Sequence, residues 1–407
     1  MLRVSTYNQF RTGEQNIVAR QREVLTTQAQ LSSGKRINGP ADDPLGASDV
    51  ASIGTSLAQF AQFKRNQDHA NYMLNLAESA LRGFVEGVQD VQEKLVAASN
   101  GSYSDNERRM IAGELEGVLS RLVGLANSSD GAGGFLFSGS RQDAAPFTQT
   151  GNTVGYTGDE ILQRIEMAQD RFQQIKYSGD AVFNKIRPGN GTFTTEVGAG
   201  NTGSAWINAG SVVDPSLVTG RPYTISFAVT GGVTTYTVER SNATAPLTTT
   251  VATGTYAEPT TLVFDGLQVT INNAPANGDS FSVTPAGFRS VFDSLERAIA
   301  ALKAPTTGVA GATGRLSTSL ANAQASMEGA LDHLLLKRAD IGAGLAELDS
   351  YGRLNDDRSL EYATRLSSVQ DLDYARATAE LSRQQIGFQA ALQSYSMVSK
   401  LSLFNYL

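Results

Sequence analysis

The chain has 407 residues, 33 basic against 40 acidic side chains, a formal charge of −7 and no cysteine. That acidity supplies no field to gather phosphates, so nucleic acid and membrane surfaces are excluded as partners, and the missing thiols exclude disulfides and thiolate metal sites. A single core stops growing at about 250–300 residues, so more than one compact unit is expected.

From Val4 to Leu31 there is no proline and one glycine, and Phe10, Ile17, Val24 and Leu31 recur every seven residues. This spacing predicts one helix with an apolar stripe. Ser33 to Pro44 concentrates glycine, asparagine, aspartate and two prolines, which predicts a loop. A long helix is expected from Leu45 to about Ala98. Its second half carries Leu74, Ala77, Leu81, Phe84, Val88, Val91, Leu95 and Ala98 in alternating steps of three and four, a seam that needs a partner helix. Ser104 and Glu107 have the capping-box spacing and open a further helix to about Asn127. Between about 130 and 185, Gly131-Ala132-Gly133-Gly134, Phe135-Leu136-Phe137 and the partial alternation of Ile161, Ile165 and Met167 predict a bend followed by strands packed on the helices.

Composition then changes. No lysine lies between Lys185 and Lys303, threonine is abundant, and the stretch holds seven of the chain's 11 prolines. Helix is disfavoured there. Tyr223, Ile225, Phe227 and Val229 alternate with smaller residues, Gly231-Gly232 offers a turn, and Tyr236 and Val238 resume the period of two, which is a hairpin signature. Leu267, Val269 and Ile271, then Phe281 and Val283, add strands. Helical seams return with Leu316, Leu320, Ala323, Met327, Ala330 and Leu334, interrupted at Lys337 and continued by Ile341, Leu348 and Tyr351; Tyr374, Leu381, Phe388 and Tyr395 then repeat at seven.

The expected fold is mainly α with an inserted β domain: a long antiparallel helical bundle or coiled coil built from both chain ends, a small mixed strand region, and a threonine-rich, β-sandwich-like insert. Three domains are expected. Residues 1–40 and 370–407 form a terminal helical assembly domain, 41–188 and 286–369 a helical bundle with a small β region, and 189–285 a β-rich outer domain.

Chemistry is sparse. His69 and His333 are the only histidines, each in an expected long helix without a nucleophile motif beside it, so both are assigned to helix surfaces or seams. Asp42-Asp43, flanked by Pro40 and Pro44, suits turn capping better than a cation. The glycine run at 131–134 lacks the Gly-Lys-Ser/Thr of a phosphate loop and is assigned to a bend. Trp206 is assigned to the β core in preference to an exposed ligand platform. No catalytic residue, cofactor or metal is expected. The ends are different. Val398, Leu401, Leu403, Phe404, Tyr406 and Leu407 are strongly apolar, and two helices alone bury one seam while leaving their other faces wet. Phe10, Ile17, Val24, Leu31, Tyr374, Leu381, Phe388, Tyr395, Leu403 and Phe404 are therefore the candidate assembly interface.

Both ends carry recognisable motifs. They are Arg3-Val4-Ser5-Thr6, Gln30-Leu31-Ser32-Ser33-Gly34-Lys35-Arg36 and Pro40-Ala41-Asp42-Asp43-Pro44-Leu45-Gly46-Ala47, then Asp371-Leu372-Asp373-Tyr374-Ala375, Gln384-Gln385 and Leu401-Ser402-Leu403-Phe404-Asn405-Tyr406-Leu407. In combination they resemble the hook-associated protein 3 family of flagellar hook-filament junction proteins, relatives of flagellin, and Phe137-Ser138-Gly139 with Ala145-Pro146-Phe147 favours that family over filament flagellin. Leu2 before Arg3 departs slightly from the usual start, and the insert carries no legible family signature.

The resemblance implies paired termini in an inner rod layer, longer helices in a second layer and the insert outside. It implies a structural subunit of the flagellum outside the cell, exported through the type III channel; Met1 to Asn8 indeed lacks the apolar core of a cleaved signal peptide. Implied partners are the neighbouring hook-associated junction protein, flagellin, further copies of the chain in a ring, and a flagellar export chaperone on the C-terminal helix. Filament flagellin, and a surface adhesin displayed by the insert, are the alternatives.

Overall fold

The structure is a computed structural model that describes residues 6–141, 143–244 and 247–404. Helices occupy both chain ends and antiparallel strands the centre. The chain divides into two compact units, Met1–Arg65 with Ser350–Leu407, and Asn66–Asp349. Both divisions fall inside long helices, α2 (Pro44–Ala98) and α5 (Ala312–Gln370).

In the first unit, α1 (Thr6–Ser33) and α6 (Tyr374–Phe404) pair antiparallel: Phe10 meets Tyr395 and Thr27 meets Gln384. Gly34 ends α1 in the left-handed region, φ +71°, and its amide donates back to the Gln30 carbonyl at 2.9 Å. Glycine is the residue that adopts this conformation without a Cβ penalty. The acids after it order the turn as expected. Asp42 accepts from the amides of Asn38 at 2.9 Å and Gly39 at 3.1 Å, while Asp43 accepts from Gly46 at 3.0 Å and so caps α2, with Pro44 as its first residue.

In the second unit the seam of α2 is continuous: Leu74, Leu81, Phe84, Val88, Val91 and Leu95 are fully buried. Leu320, Met327, Ala330, Leu334, Ile341 and Leu348 of α5 are buried likewise. The Glu78–Arg338 ion pair, 2.5 Å at its shortest, ties the two helices at the seam's edge. α3 (Asp105–Ala126) starts at the anticipated capping box, with Ser104 Oγ accepting from the Glu107 amide at 3.3 Å and Glu107 accepting from the Ser104 amide at 2.7 Å. Asp105 also accepts from Thr306 Oγ1 at 2.7 Å and from the amides of Thr306 and Thr307 at 3.2 Å, which clamps the chain leaving α4 (Val291–Lys303) onto the first turn of α3.

A five-ring cluster knits this unit. Phe183 lies 4.5 Å from Phe84 and 5.1 Å from Phe137 between ring centroids, and Phe147 lies 5.3 Å from Phe292. All five rings are buried. Each contributes roughly 1.5–3 kcal/mol by leaving water, and each well-oriented pair adds about 0.5–1.5. The cluster joins α2, α4, a single π-helical turn at Asp180–Asn184 and the hairpin β1 (Phe147–Thr150)/β2 (Thr153–Tyr156). A second hairpin, β3 (Arg164–Ala168)/β4 (Arg171–Gln174), lies nearby in sequence.

The glycine run is a bend held from within. Asp130 Oδ1 accepts from the amides of Ala132 at 2.9 Å and Gly134 at 2.8 Å, and its Oδ2 receives Lys176 Nζ at 2.8 Å, with both charged side chains buried. Burial alone would raise the Asp130 carboxyl, but Lys176 and the loop amides outweigh it and hold the group below the usual range.

The β-rich stretch forms two antiparallel sheets. One has the order β10 (Thr248–Thr255), β9 (Val233–Ser241), β8 (Tyr223–Thr230), β13 (Ser280–Pro285), β5 (Phe193–Val197). The other runs β11 (Thr260–Phe264), β12 (Leu267–Asn272), β6 (Trp206–Ile207), with β7 (Ser211–Val212) also on β12. Tyr223, Ile225 and Phe227 of β8, Leu267, Val269 and Ile271 of β12, and Phe281 and Val283 of β13 enter one buried cluster shared by both sheets. Gly231 and Gly232 turn the β8–β9 hairpin at φ +59° and +78°, the pair of positive values that a two-residue turn requires. Trp206 corrects its expectation. It is half-buried on a two-residue strand, and its neighbour Ile207 takes the core position, because successive residues of a strand face opposite ways.

Candidate assembly surface

The α1–α6 pair places one stripe of each helix against the other. On α1, Phe10, Ile17, Val24 and Leu31 share a face but are only half-buried. Leu381, Phe388 and Tyr395 of α6 are half-buried as well. The contrast with the fully buried seam of α2 is one of coverage: here a single partner shields each side chain on one side.

What lets the helices approach is polar and small. Thr27, 6% exposed, donates to Gln384 Oε1 at 2.8 Å. A Cβ on Gly13 would stand 2.8 Å from Tyr395 Cδ2, so the ring lies directly on the helix backbone, where it also meets Phe10 edge-on at 6.0 Å and 84°. Ala377 is buried on the same face of α6. Gly13, Thr27, Ala377 and Gln384 were not among the expected interface residues; they lie at three- and four-residue offsets from the apolar ones, the signal that would have found them.

Tyr374 does not join the facing stripe within the chain. It is the first residue of α6 and is exposed, with only its hydroxyl near Gly34. The turn that delivers the chain into α6 starts the helix with this side chain off the facing stripe. Leu403 and Phe404 fall within α6, but their side chains lie outside the described residues.

Apolar side chains also point away from the pair. Leu25 on α1 is 55% exposed, and on α6 Ile386 is 65% and Met397 60% exposed, with Val18 and Leu392 also open. One hydrophobe in water is ordinary, whereas five spread over two paired helices leave an apolar surface without a cover.

The base of the pair is closed by the two end motifs themselves. The Arg36 amide donates to Gln370 O at 2.7 Å, Leu372 donates to Gly34 O at 3.0 Å, and Arg36 Nη2 reaches Val369 O at 2.8 Å. Residues 34–36 and 369–372, more than 330 positions apart in sequence, thus hydrogen-bond to one another.

The two histidines lie on the long helices α2 and α5. His69 is exposed. His333 is half-buried, and its Nε2 lies 3.0 Å from Ala181 O, a carbonyl that requires the ring nitrogen to carry the proton; burial holds the imidazole below its usual pKa. Among the described residues no group of three or more His, Asp or Glu side chains could hold a metal, and no helix is long and apolar enough to cross a membrane.

Two segments of the chain match known families. Residues 4–142 match the bacterial flagellin N-terminal helical region, and residues 197–285 match the D2-like domain of flagellar hook-associated protein 1. The second match supplies a kinship for the insert that its sequence did not disclose. The chain is 26% identical to flagellar hook-associated protein 3 of Salmonella typhimurium over 405 residues, 99% of both chains. The crystal structure of Xanthomonas campestris FlgL superposes with a TM-score of 0.70 at 30% identity, over 77% of this chain and 99% of that one. The hook-associated protein 3 of Legionella pneumophila gives 0.73 at 28% identity, over 79% of this chain and 98% of that one. Matched along its whole length, with its two end motifs clasped as a pair, the chain belongs to the flagellar hook-associated protein 3 family.

Proposed function

We propose that this protein joins the hook to the filament of a bacterial flagellum by packing the outer faces of α1 and α6 against neighbouring copies and neighbouring flagellar proteins. It is an extracellular structural subunit and not an enzyme. The observation that carries the assembly reading is the half-coverage of Phe10, Ile17, Val24, Leu31, Leu381, Phe388 and Tyr395, together with open Leu25, Ile386 and Met397. A monomer gains little from such a surface. A ring repeats one interface around its circumference and gains from it at every contact.

Within this reading the α1–α6 stripe continues as a coiled coil between copies, Leu403 and Phe404 extend it, and the two sheets of the insert form an outer sandwich-like domain. The hook-side neighbour is another hook-associated junction protein and the distal neighbour is flagellin. The chain leaves the cell through the flagellar type III channel, and before export a chaperone covers the apolar face of α6. The test is a deletion strain. Cells that keep hooks but shed flagellin into the medium, and that regain filaments with the wild-type chain and not with a Phe388→Ala chain, establish the junction role; filaments retained after deletion sink it.

A further inference from the structure

A cavity of about 410 Å³ lies in the second unit between strand β5, helix α4 and helix α5. Its volume is in the range of small-molecule sites. Three arginines line it: Arg289 just before α4, Arg297 on α4 and Arg315 on α5. Arg289 and Arg297 both place Nε 3.3 Å from the single carboxylate of Asp293, so two guanidiniums share one negative charge, and their terminal nitrogens make no hydrogen bond to any described residue. Arg315 is anchored on carbonyls instead, with Nη1 3.1 Å from Asn201 O and Nη2 2.9 Å from Ala310 O. Only Glu196, exposed on β5, brings an acid to the lining. Three positive groups therefore face two negative ones. Burial first, and the Arg297 charge second, pull Arg289 below the usual guanidinium range, while Asp293 and Glu196 oppose the shift.

A planar guanidinium with free terminal N–H groups matches an oxyanion bidentately. We infer that this cavity binds a small, multiply charged oxyanion of the phosphate or polycarboxylate class, held by Arg297 and Arg289 at one wall and Arg315 at the other. Serine and threonine side chains of α5, such as Ser319, supply neutral donors along the floor. Because β5 is an edge strand of the insert and α4 and α5 are helices, the bound anion bridges sheet to helices and stiffens the seat of the insert.

The experiment uses the full chain. Sodium phosphate and sodium citrate are titrated calorimetrically against sodium chloride of matched ionic strength, and hydrogen exchange is followed at residues 194–197. The expected result is saturable binding of at least one of the two anions and slower exchange on β5. Affinity should fall by about tenfold or more in Arg297→Gln, since hydrogen bonds to charged groups carry that much. Arg297 is 59% exposed, so its replacement leaves the fold intact. Arg164→Gln, on β3 and outside the cavity, should bind like wild type. Differing responses to phosphate and citrate would say which oxyanion geometry the cavity accepts. The inference is overturned if neither anion binds below about 10 mM, a ceiling that already corresponds to very weak affinity, or if Arg297→Gln and Arg164→Gln bind alike.

Discussion

Leu372 donates its amide to the carbonyl of Gly34 at 3.0 Å, and with the Arg36-to-Gln370 bond this joins the end of α1 to the start of α6. The geometry depends on a left-handed residue at 34. In Gly34→Ala the new Cβ costs about 1–2 kcal/mol in that conformation and must displace the Tyr374 hydroxyl, 2.8 Å away. Faster hydrogen exchange at Arg36 and Leu372, with an unchanged main thermal transition, is the expected outcome. Unchanged exchange would mean the clasp does not depend on Gly34.

Truncation separates assembly from folding. Phe388→Ala should lower the melting free energy of the isolated chain by no more than about 1–1.5 kcal/mol, because half-burial yields about half of a full side chain's transfer free energy, yet it should abolish filament joining in cells. Leu81→Ala, in the fully buried α2 seam, should cost about 2–5 kcal/mol. Equal losses in the two variants would place Phe388 in an ordinary intramolecular core.

The Asp130–Lys176 pair is a buried ion pair whose loss of one partner strands the other. Asp130→Asn should destabilise by about 3–5 kcal/mol, measured by denaturant melts. The carboxyl's folded pKa lies below its unfolded value, so its stabilisation is complete above the unfolded value and is lost as pH falls through the folded one. The wild type should therefore lose stability below about pH 4 with a steeper slope than Asp130→Asn.

His333 acts in a different window with the same sign. Its folded pKa is depressed by burial, so the neutral ring contributes fully above the unfolded value of about 6.5 and progressively less as pH falls through the folded one. A His333→Gln chain should show a flatter stability profile just below pH 6.5. A profile unchanged from wild type would show that the ring titrates as in water.

A fragment of residues 66–349 retains the five-ring cluster, the Leu81 seam and the two-sheet core. It should be a folded monomer by circular dichroism and sedimentation. A molten or unfolded fragment would show that α1 and α6 are needed for folding as well as assembly.

Much of this architecture was legible because the pattern was strong. The steps of three and four from Leu74 to Ala98 each fall on a buried position, and Tyr223, Ile225 and Phe227 alternate as their strand does. Where the pattern was weak the elements were missed. β10 carries threonine and small residues on both faces, so no alternation announces it. α4 was not resolved as a separate helix, although Ser290 caps it and Val291, Leu295, Ala298 and Leu302 form one buried face. The close-approach residues of the terminal pair escaped because Gly13 and Thr27 are not apolar, and proximity between helices depends on what is absent from a side chain as much as on what is present.

The chain leaving for the insert and the chain returning from it run side by side. The Ile186 amide donates to Arg289 O at 3.4 Å, Arg289 donates back to Ile186 O at 2.8 Å, and Ala286 donates to Thr192 O at 2.9 Å. The chain therefore enters and leaves the insert as a two-stranded stem about 5 Å wide, the spacing of neighbouring strands. A foreign cargo grafted there would need ends that close and also a face to cover α5, where Thr318 Oγ1 accepts from the Ile207 amide at 3.1 Å and Asn322 Nδ2 donates to Thr195 O at 2.7 Å, so the strands away from that helix are the part of the insert that can be exchanged without exposing it.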